Sequence, residues 1–498
     1  MLYVSTRGGC SSVTAAEAIK LGIAPDGGLF VPETEANIPI KRIEQMADLN
    51  YVSRAVNVLR PYLTDYSEQE LYDCASTAYN QQKFADPDIA PLHMLEPDLH
   101  VLELWHGPTC AFKDMALQIM PHLLTRALTK TGENSEIVIL VATSGDTGKA
   151  ALEGFKDVAG TRIIVFYPEK GISEMQRLQM VTQEGNNVDV IAVKGNFDDA
   201  QNGVKKIFAD TELKENLYDS DYKFSSANSI NWGRLVPQIV YYFSSYAELI
   251  KRERITIGEK INFVVPTGNF GDILAGFYAS KMGLPIHKLV CASNANNVLT
   301  DFIHTGIYDR RRDFKKTISP SMDILISSNL ERLLYEITDH DSGRVKGWME
   351  GLVESGFYEV DDNTKKAIQE IFWPAYASDD ETIQTIAETY RTYSYTVDTH
   401  TAVGVNAYGK YKNITGDNTP TVIISTASPF KFNTSVAKAL LGNEAVSGKD
   451  EFRLLKMLRD KSNLPIPKGL RDLDKKTILH ETVSDKNKMK DAVLKILE

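Results

Sequence analysis

The sequence predicts an α/β protein with two open parallel-sheet lobes, an N-terminal domain and a helical insertion. Three observations predict it. Apolar runs at 137–142, 163–166 and 188–193 each lead through turn residues into an amphipathic stretch at 148–155, 173–181 and 198–209. A second series repeats the pattern, with apolar runs at 261–265, 288–291 and 421–425 and helical stretches at 273–282 and 297–304. Short runs apolar on both faces fit strands buried on both sides, as in parallel sheets with helical crossovers. Finally, 498 residues at 43% apolar content suffice for two or three domains with full cores.

The elements divide the chain into unequal parts. Residues 1–95 carry helical patterns at 15–21 and 67–81 and the turn Pro25-Asp26-Gly27-Gly28, and read as an N-terminal domain. Residues 135–235 form the small lobe. Residues 96–134 and 236–498 form the large one, which carries a charged, helix-rich insertion near 330–395 broken at Trp373-Pro374. A strand at 101–105 precedes a helix starting near Phe112, and the apolar helix 235–249 opens the return to the large lobe. From Lys449 onward the chain is rich in Lys and Asp with helical periodicity, the pattern of a solvated surface element.

The net charge of −11 is spread along the chain, which argues against nucleic acid as a partner. No stretch approaches the ~20 apolar residues of a membrane span, and no basic, then apolar, leader opens the chain. Cys10, Cys74, Cys110 and Cys291 fall at wide spacings that suit neither a disulfide framework nor a metal site. A cytosolic protein without metal is expected, and the sequons at Asn413 and Asn433 are then chance matches.

Lys113, in the run His106-Gly107-Pro108-Thr109-Cys110-Ala111-Phe112-Lys113-Asp114, lies where a strand hands over to a helix. Lysine is favoured at the other end of a helix, where it meets the negative pole of the dipole. It is either a solvated amine or one of lowered basicity, able to form a Schiff base with an aldehyde cofactor. Gly268, Asn269, Phe270, Gly271 and Asp272 join a strand to a helix. Glycines there let amides approach an anion such as a phosphate, although plain connections share the pattern. Thr143, Ser144, Gly145, Asp146, Thr147 and Gly148 open another helix with hydroxyls and amides that suit a carboxylate, or with Asp146 as a simple N-cap. Asn228, Ser229, Asn231 and Arg234 lie in a polar segment that either caps the following helix or reaches a ligand. Ser425 to Phe430 end the last apolar strand, where α/β sites assemble.

Together these segments resemble threonine synthase, a pyridoxal-phosphate family of the tryptophan-synthase-β-like fold (fold type II), in its longer fungal and bacterial branch. The lysine run at 106–114 carries the resemblance. Supporting matches are Tyr3-Val4-Ser5-Thr6-Arg7-Gly8, Asp26-Gly27-Gly28-Leu29-Phe30-Val31-Pro32, 143–148, 268–272, 327–334 and His400-Thr401-Ala402-Val403-Gly404, in family order. The resemblance implies pyridoxal 5'-phosphate on Lys113, with Gly268, Asn269, Phe270 and Asp272 chiefly around its phosphate and Thr426 near its pyridine nitrogen. A threonine there cannot act as the acid that protonates the ring, so the ring stays neutral and is a milder electron sink. Ser428 stands where many relatives carry histidine.

The implied reaction turns O-phospho-L-homoserine and water into L-threonine and phosphate. Thr143, Ser144, Gly145, Asp146 and Thr147 are the expected carboxylate ligands, and Asn228, Ser229, Asn231 and Arg234 the expected phosphate ligands. The rival readings are a related phospholyase or dehydratase releasing a 2-keto acid, and a non-catalytic regulatory or binding protein of the same fold. A monomer or weak oligomer is expected.

Overall fold

The computed structural model describes residues 1–143, 145–170, 172–210, 212–213, 217 and 221–497, with the side chains of 198 and 209 excepted. Its larger sheet has six strands in the order Phe372–Tyr376, Ile286–Ser293, Ile261–Pro266, Thr421–Ser425, Leu99–Glu103 and Leu92–Glu96. All pairs are parallel except the last, an antiparallel hairpin at the edge. Ile261–Pro266 and Thr421–Ser425 are buried at every residue, because helices cover both faces. The smaller sheet is parallel throughout, in the order Thr482–Asp485, Val188–Lys194, Thr161–Pro168, Glu136–Ala142 and Tyr222–Ser225.

Two features differ from the sequence expectation. The C-terminal strand Thr482–Asp485 pairs with Val188–Lys194, so the tail returns to the small sheet, whereas the sequence placed all of 236–498 in the large lobe. Only Ser484 of this edge strand is buried, which leaves the strand with the polar look of a surface segment. Trp373-Pro374, expected as a break in a helical insertion, lies in a strand at the edge of the large sheet. There proline is tolerated, since an edge strand has one neighbour and can spare a donor.

The N-terminal segment shares its core with the large sheet. Trp232, fully buried at the start of the helix Trp232–Lys251, meets Tyr3, Tyr62 and Tyr278, each at a ring-centroid separation of 5.4 Å. Trp232 thus joins the strand Tyr3–Ser5, the turn at Tyr62 and the helix Gly271–Lys281 in one aromatic cluster. The helix Leu330–Ile337 makes the polar counterpart. Glu331 accepts from Thr6 Oγ1 at 2.6 Å and from Arg7 Nε and Nη2 at 2.9 Å each. Next to it the buried Arg332 donates to Phe30 O, Asn329 Oδ1 and Ile230 O. Thr6-Arg7 and Glu331 are therefore two halves of one contact. Arg7→Met should leave the Glu331 carboxylate, 5% exposed, with Thr6 alone, and lower stability to denaturant by about 2 kcal/mol. A urea midpoint equal to that of the parent would show that this pairing is not stabilising.

Candidate active site

Lys113 occupies the N-cap position of a short helix, Asp114–Leu117, just beyond the strand Leu99–Glu103. Its loop is tied to the end of the neighbouring strand: Leu104 N donates to Ser425 O, Phe112 N to Thr426 O at 2.8 Å, and Ser428 N to Cys110 O. Asp114 secures the turn by accepting from both Thr109 N and Thr109 Oγ1. Burial pushes the Asp114 carboxyl up to about 6 despite those two donors.

The Lys113 side chain is 11% exposed. Its Nζ donates to Ser321 Oγ at 3.5 Å and lies 3.9 Å from Asp146 Oδ2. Burial pushes the amine down to about 8. Asp146 opposes that displacement, while Lys431 and Arg234 reinforce it. This is the less basic amine that the sequence left open, not a solvated one.

Asp146 opens the helix Asp146–Phe155, but Gly145 holds the N-cap position. The Asp146 carboxylate turns inward to Lys431 Nζ at 3.1 Å, and accepts from Ser321 Oγ and Gln176 Nε2 at 3.0 Å each. Burial would raise its pKa, but Lys431 and then Lys113 outweigh burial and hold it well below the usual carboxylate range. This corrects one of the two readings of Asp146: it is not the N-cap, and its carboxylate faces Lys431 and Lys113. Thr143 Oγ1 accepts from Gly145 N and Gly148 N, so it shapes the turn. Thr147 is part-exposed and makes no side-chain hydrogen bond among the described residues. Ser144 lies outside the described residues.

The turn after Ile261–Pro266 has the form of an anion cradle. Phe270 adopts the left-handed conformation at φ 63°, just before the helix Gly271–Lys281. The carbonyls of this turn are held outward: Ser327 Oγ donates to Gly268 O, and Asn329 N and Nδ2 donate to Asn269 O. For the amides of Gly268, Asn269, Phe270 and Gly271, no acceptor occurs among the described residues. Unpaired amides at a helix start fit a phosphate. Asp272 differs from them in chemistry. Its carboxylate accepts from Ile273 N, and burial pushes it up to about 6.

A Cβ on Gly268 would stand 2.8 Å from Ser321 O and 3.4 Å from Met322 Cα, both backbone atoms. Gly268→Val should therefore displace the 319–322 segment and weaken pyridoxal-phosphate retention by roughly tenfold or more, about 1.4 kcal/mol. A spectroscopic titration giving the parental dissociation constant would remove this turn from the cofactor site.

Arg234, 4% exposed, donates from Nη1 to Ala227 O, its Nε has no acceptor, and no carboxylate pairs with it among the described residues. Burial pushes this guanidinium down to about 10. Asn228 and Ser229 are part-exposed, with no side-chain hydrogen bonds among the described residues. Asn231 behaves otherwise. It caps the helix Trp232–Lys251 through Gly233 N and donates to Ile19 O and Ser226 O, which corrects its expected role as a ligand. Thr426 is 5% exposed and makes no side-chain hydrogen bond among the described residues.

A buried amine of lowered basicity, a turn of amides without acceptors and a guanidinium without a carboxylate partner among the described residues suit an aldehyde cofactor that carries a phosphate. "Threonine synthase N terminus" matches residues 2–79, "Pyridoxal-phosphate dependent enzyme" residues 90–348, and "Threonine synthase, C-terminal" residues 401–493. Threonine synthase of Pseudomonas aeruginosa is 39% identical over 443 residues, 89% of this chain and 91% of its own. The chain belongs to the threonine synthase family. Threonine synthase of Schizosaccharomyces pombe is 38% identical, with 88% of this chain and 89% of its own covered. The pyridoxal-phosphate-bound threonine synthase structure from Brucella melitensis superposes with a TM-score of 0.88 at 35% identity, covering 100% of this chain and 99% of that one. The chain is thus a pyridoxal-phosphate-dependent threonine synthase with the fold its motifs implied, a lyase of amino-acid biosynthesis. No helix among the described residues is long and apolar enough to cross a membrane.

Three threonine synthase side chains escaped the sequence reading. Ser321, between the cradle and Lys113, lies in the single-turn 3-10 helix Pro320–Met322, which belongs to no motif. His400 Nε2 accepts from Ser321 N at 3.1 Å, so its Nδ1 carries the proton donated to Asp398 Oδ1. His400 was quoted in a family match but given no role. Lys431 follows Phe430 directly and could have been found by extending that motif one residue.

Proposed function

We propose that this enzyme converts O-phospho-L-homoserine and water into L-threonine and inorganic phosphate, with Lys113 as the catalytic base and cofactor-bearing residue. Arg234 is the observation that carries the substrate assignment: a buried guanidinium without a counter-anion is costly unless a ligand supplies one. A phosphate oxygen dianion does so. Asn228 and Ser229, part-exposed and without side-chain partners among the described residues, complete the phosphate end.

Bound pyridoxal phosphate supplies an electron sink conjugated with the substrate amine. The amides of Gly268, Asn269, Phe270 and Gly271 would hold its phosphate, and the Thr426 hydroxyl would be the group at its ring nitrogen. Lys113, as a neutral amine, takes the proton from Cα and then serves the Cβ proton whose loss lets the γ-phosphate depart. Arg234 meets the charge that develops on that phosphate. Water adds its hydroxyl at Cβ; Lys113 returns one proton to Cα and delivers the one taken from Cβ to Cγ, and the second proton of the water leaves with the phosphate. The substrate carboxylate lies at the start of the helix Asp146–Phe155, held by the Gly145 and Thr147 end and not by the Asp146 side chain. We assign residues 135–235, with the C-terminal strand and helix, to a small lobe that carries this carboxylate end and closes on the large one.

Purified enzyme given O-phosphohomoserine should release threonine and phosphate in equal amounts. Formation of 2-oxobutyrate without threonine would replace this reading by a phospholyase.

A further inference from the structure

Two buried lysines share one buried carboxylate. Lys431 Nζ, with its side chain fully buried, lies 3.1 Å from Asp146 Oδ1 and donates to Thr109 O at 2.8 Å. The other carboxylate oxygen, Oδ2, lies 3.9 Å from Lys113 Nζ, with Ser321 Oγ bonded between them. The geometry is unequal: Lys431 makes the direct pair, and Lys113 stands at one hydroxyl's remove.

This inequality matters for an amine that must work uncharged. If Asp146 had only Lys113 as its cation, the buried pair would hold that lysine as an ammonium, because separating it would strand a buried anion. With Lys431 in place the anion remains balanced when Lys113 loses its proton. Ser321 can then donate to Asp146 and accept from Lys113 in either state. We propose that Lys431 is the standing counter-cation of Asp146, a positioning residue that leaves Lys113 free to act as a neutral amine.

The other charged groups around the pair do not replace it. Asp272, across the cradle, and Arg234, on the long helix, act on Lys113 through space with opposite sign. His400 lies on the Ser321 side and Asp323 behind it, held by Thr317, Asn294 and Asn296. On the Lys431 side stand Asp114, already bonded twice to Thr109, and the Cys110 thiol, pushed up to about 12 by burial. Lys149, on the same helix as Asp146, pairs with Glu153. Among the described residues Lys431 is the cation in direct contact with Asp146.

The proposal rests on Lys113 working as an amine, but its test needs no turnover. The full chain, freed of cofactor, is titrated by the rate at which acetic anhydride labels Lys113 as a function of pH, and by the rate at which added pyridoxal phosphate develops Schiff-base absorption. Lys431→Gln, which keeps hydrogen-bonding capacity and removes the charge, should raise both midpoints by about one pH unit, a tenfold change in proton affinity. Lys431→Arg should stay at the parental midpoint. Asp146→Asn should lower it, which keeps the test available if Lys431→Gln does not fold. An unchanged or lower midpoint in Lys431→Gln, a raised one in Lys431→Arg, or an unchanged or raised one in Asp146→Asn overturns the proposal. A failure of the reaction assignment would show elsewhere, as activity surviving in Lys113→Ala, and would leave these midpoints as they are.

Discussion

Replacing Lys113 with alanine is expected to abolish threonine formation and, in the same protein, the Schiff-base absorption of added pyridoxal phosphate. The expectation rests on position and on chemistry. The backbone around Lys113 is fixed from both sides, by Thr426 O and Cys110 O in the bridge to the adjacent strand and by Asp114 in the turn. With that anchorage the side chain has little choice of target, and its amine is directed at Ser321 and Asp146 in an enclosed site. Burial pushes the amine down to about 8, so near that pH half of the chains carry it uncharged, as imine formation and proton abstraction both require. Loss of the proton-transfer role alone costs about 10²–10⁴-fold in rate, and loss of the covalent attachment adds to it. The alanine truncation leaves Asp146 paired with Lys431, so the variant should fold and keep its phosphate cradle. Turnover within tenfold of the parent in that folded variant would refute the assignment.

How far the sequence revealed this site depended on the range of the interactions that build it. Buried strands such as Glu136–Ala142 and Thr421–Ser425 announce themselves, because burial on both faces demands an unbroken apolar run. Thr482–Asp485 does not, since it buries one residue at the exposed edge of its sheet. The same division holds among functional groups. A lysine at a strand-to-helix junction and a Gly-Asn-Phe-Gly turn are local anomalies, visible within ten residues. Ser321 meets Lys113 across 208 positions, and Lys431 meets Thr109 across 322, so only tertiary closure defines them. Asp146 shows the intermediate case. Its place at a helix start was legible, but the direction of its carboxylate was decided by two lysines elsewhere in the chain. For Asn231 the ambiguity between cap and ligand was resolved by Ile19 and Ser226, whose carbonyls take both of its amide protons.

Arg234→Met should uncouple stability from activity, and that uncoupling separates a ligand-binding arginine from a structural one. A structural buried arginine resembles Arg332, which donates to two carbonyls and an Asn oxygen; removing it would leave those acceptors unpaired and weaken the fold. Among the described residues Arg234 has one carbonyl partner, Ala227 O, and an Nε without any. In the free enzyme its charge is therefore a burden, and an apolar side chain of similar length should leave the melting midpoint unchanged or higher. Catalysis should respond in the opposite direction. Without the guanidinium, the phosphate leaves with its developing charge unmet, and the rate of threonine formation should fall by about 10²–10³-fold. Arg234→Lys, which restores a charge but not the planar fork, should recover part of that loss. Inorganic phosphate supplies an independent check, since a ligand that binds only the folded state raises its melting temperature as its free concentration exceeds the dissociation constant. With the 268–271 turn filled by pyridoxal phosphate in both proteins, the parent should be stabilised by inorganic phosphate, and Arg234→Met should not. If the methionine variant melts well below the parent and gains the same protection from phosphate, Arg234 is a structural residue and the leaving group is met by other donors.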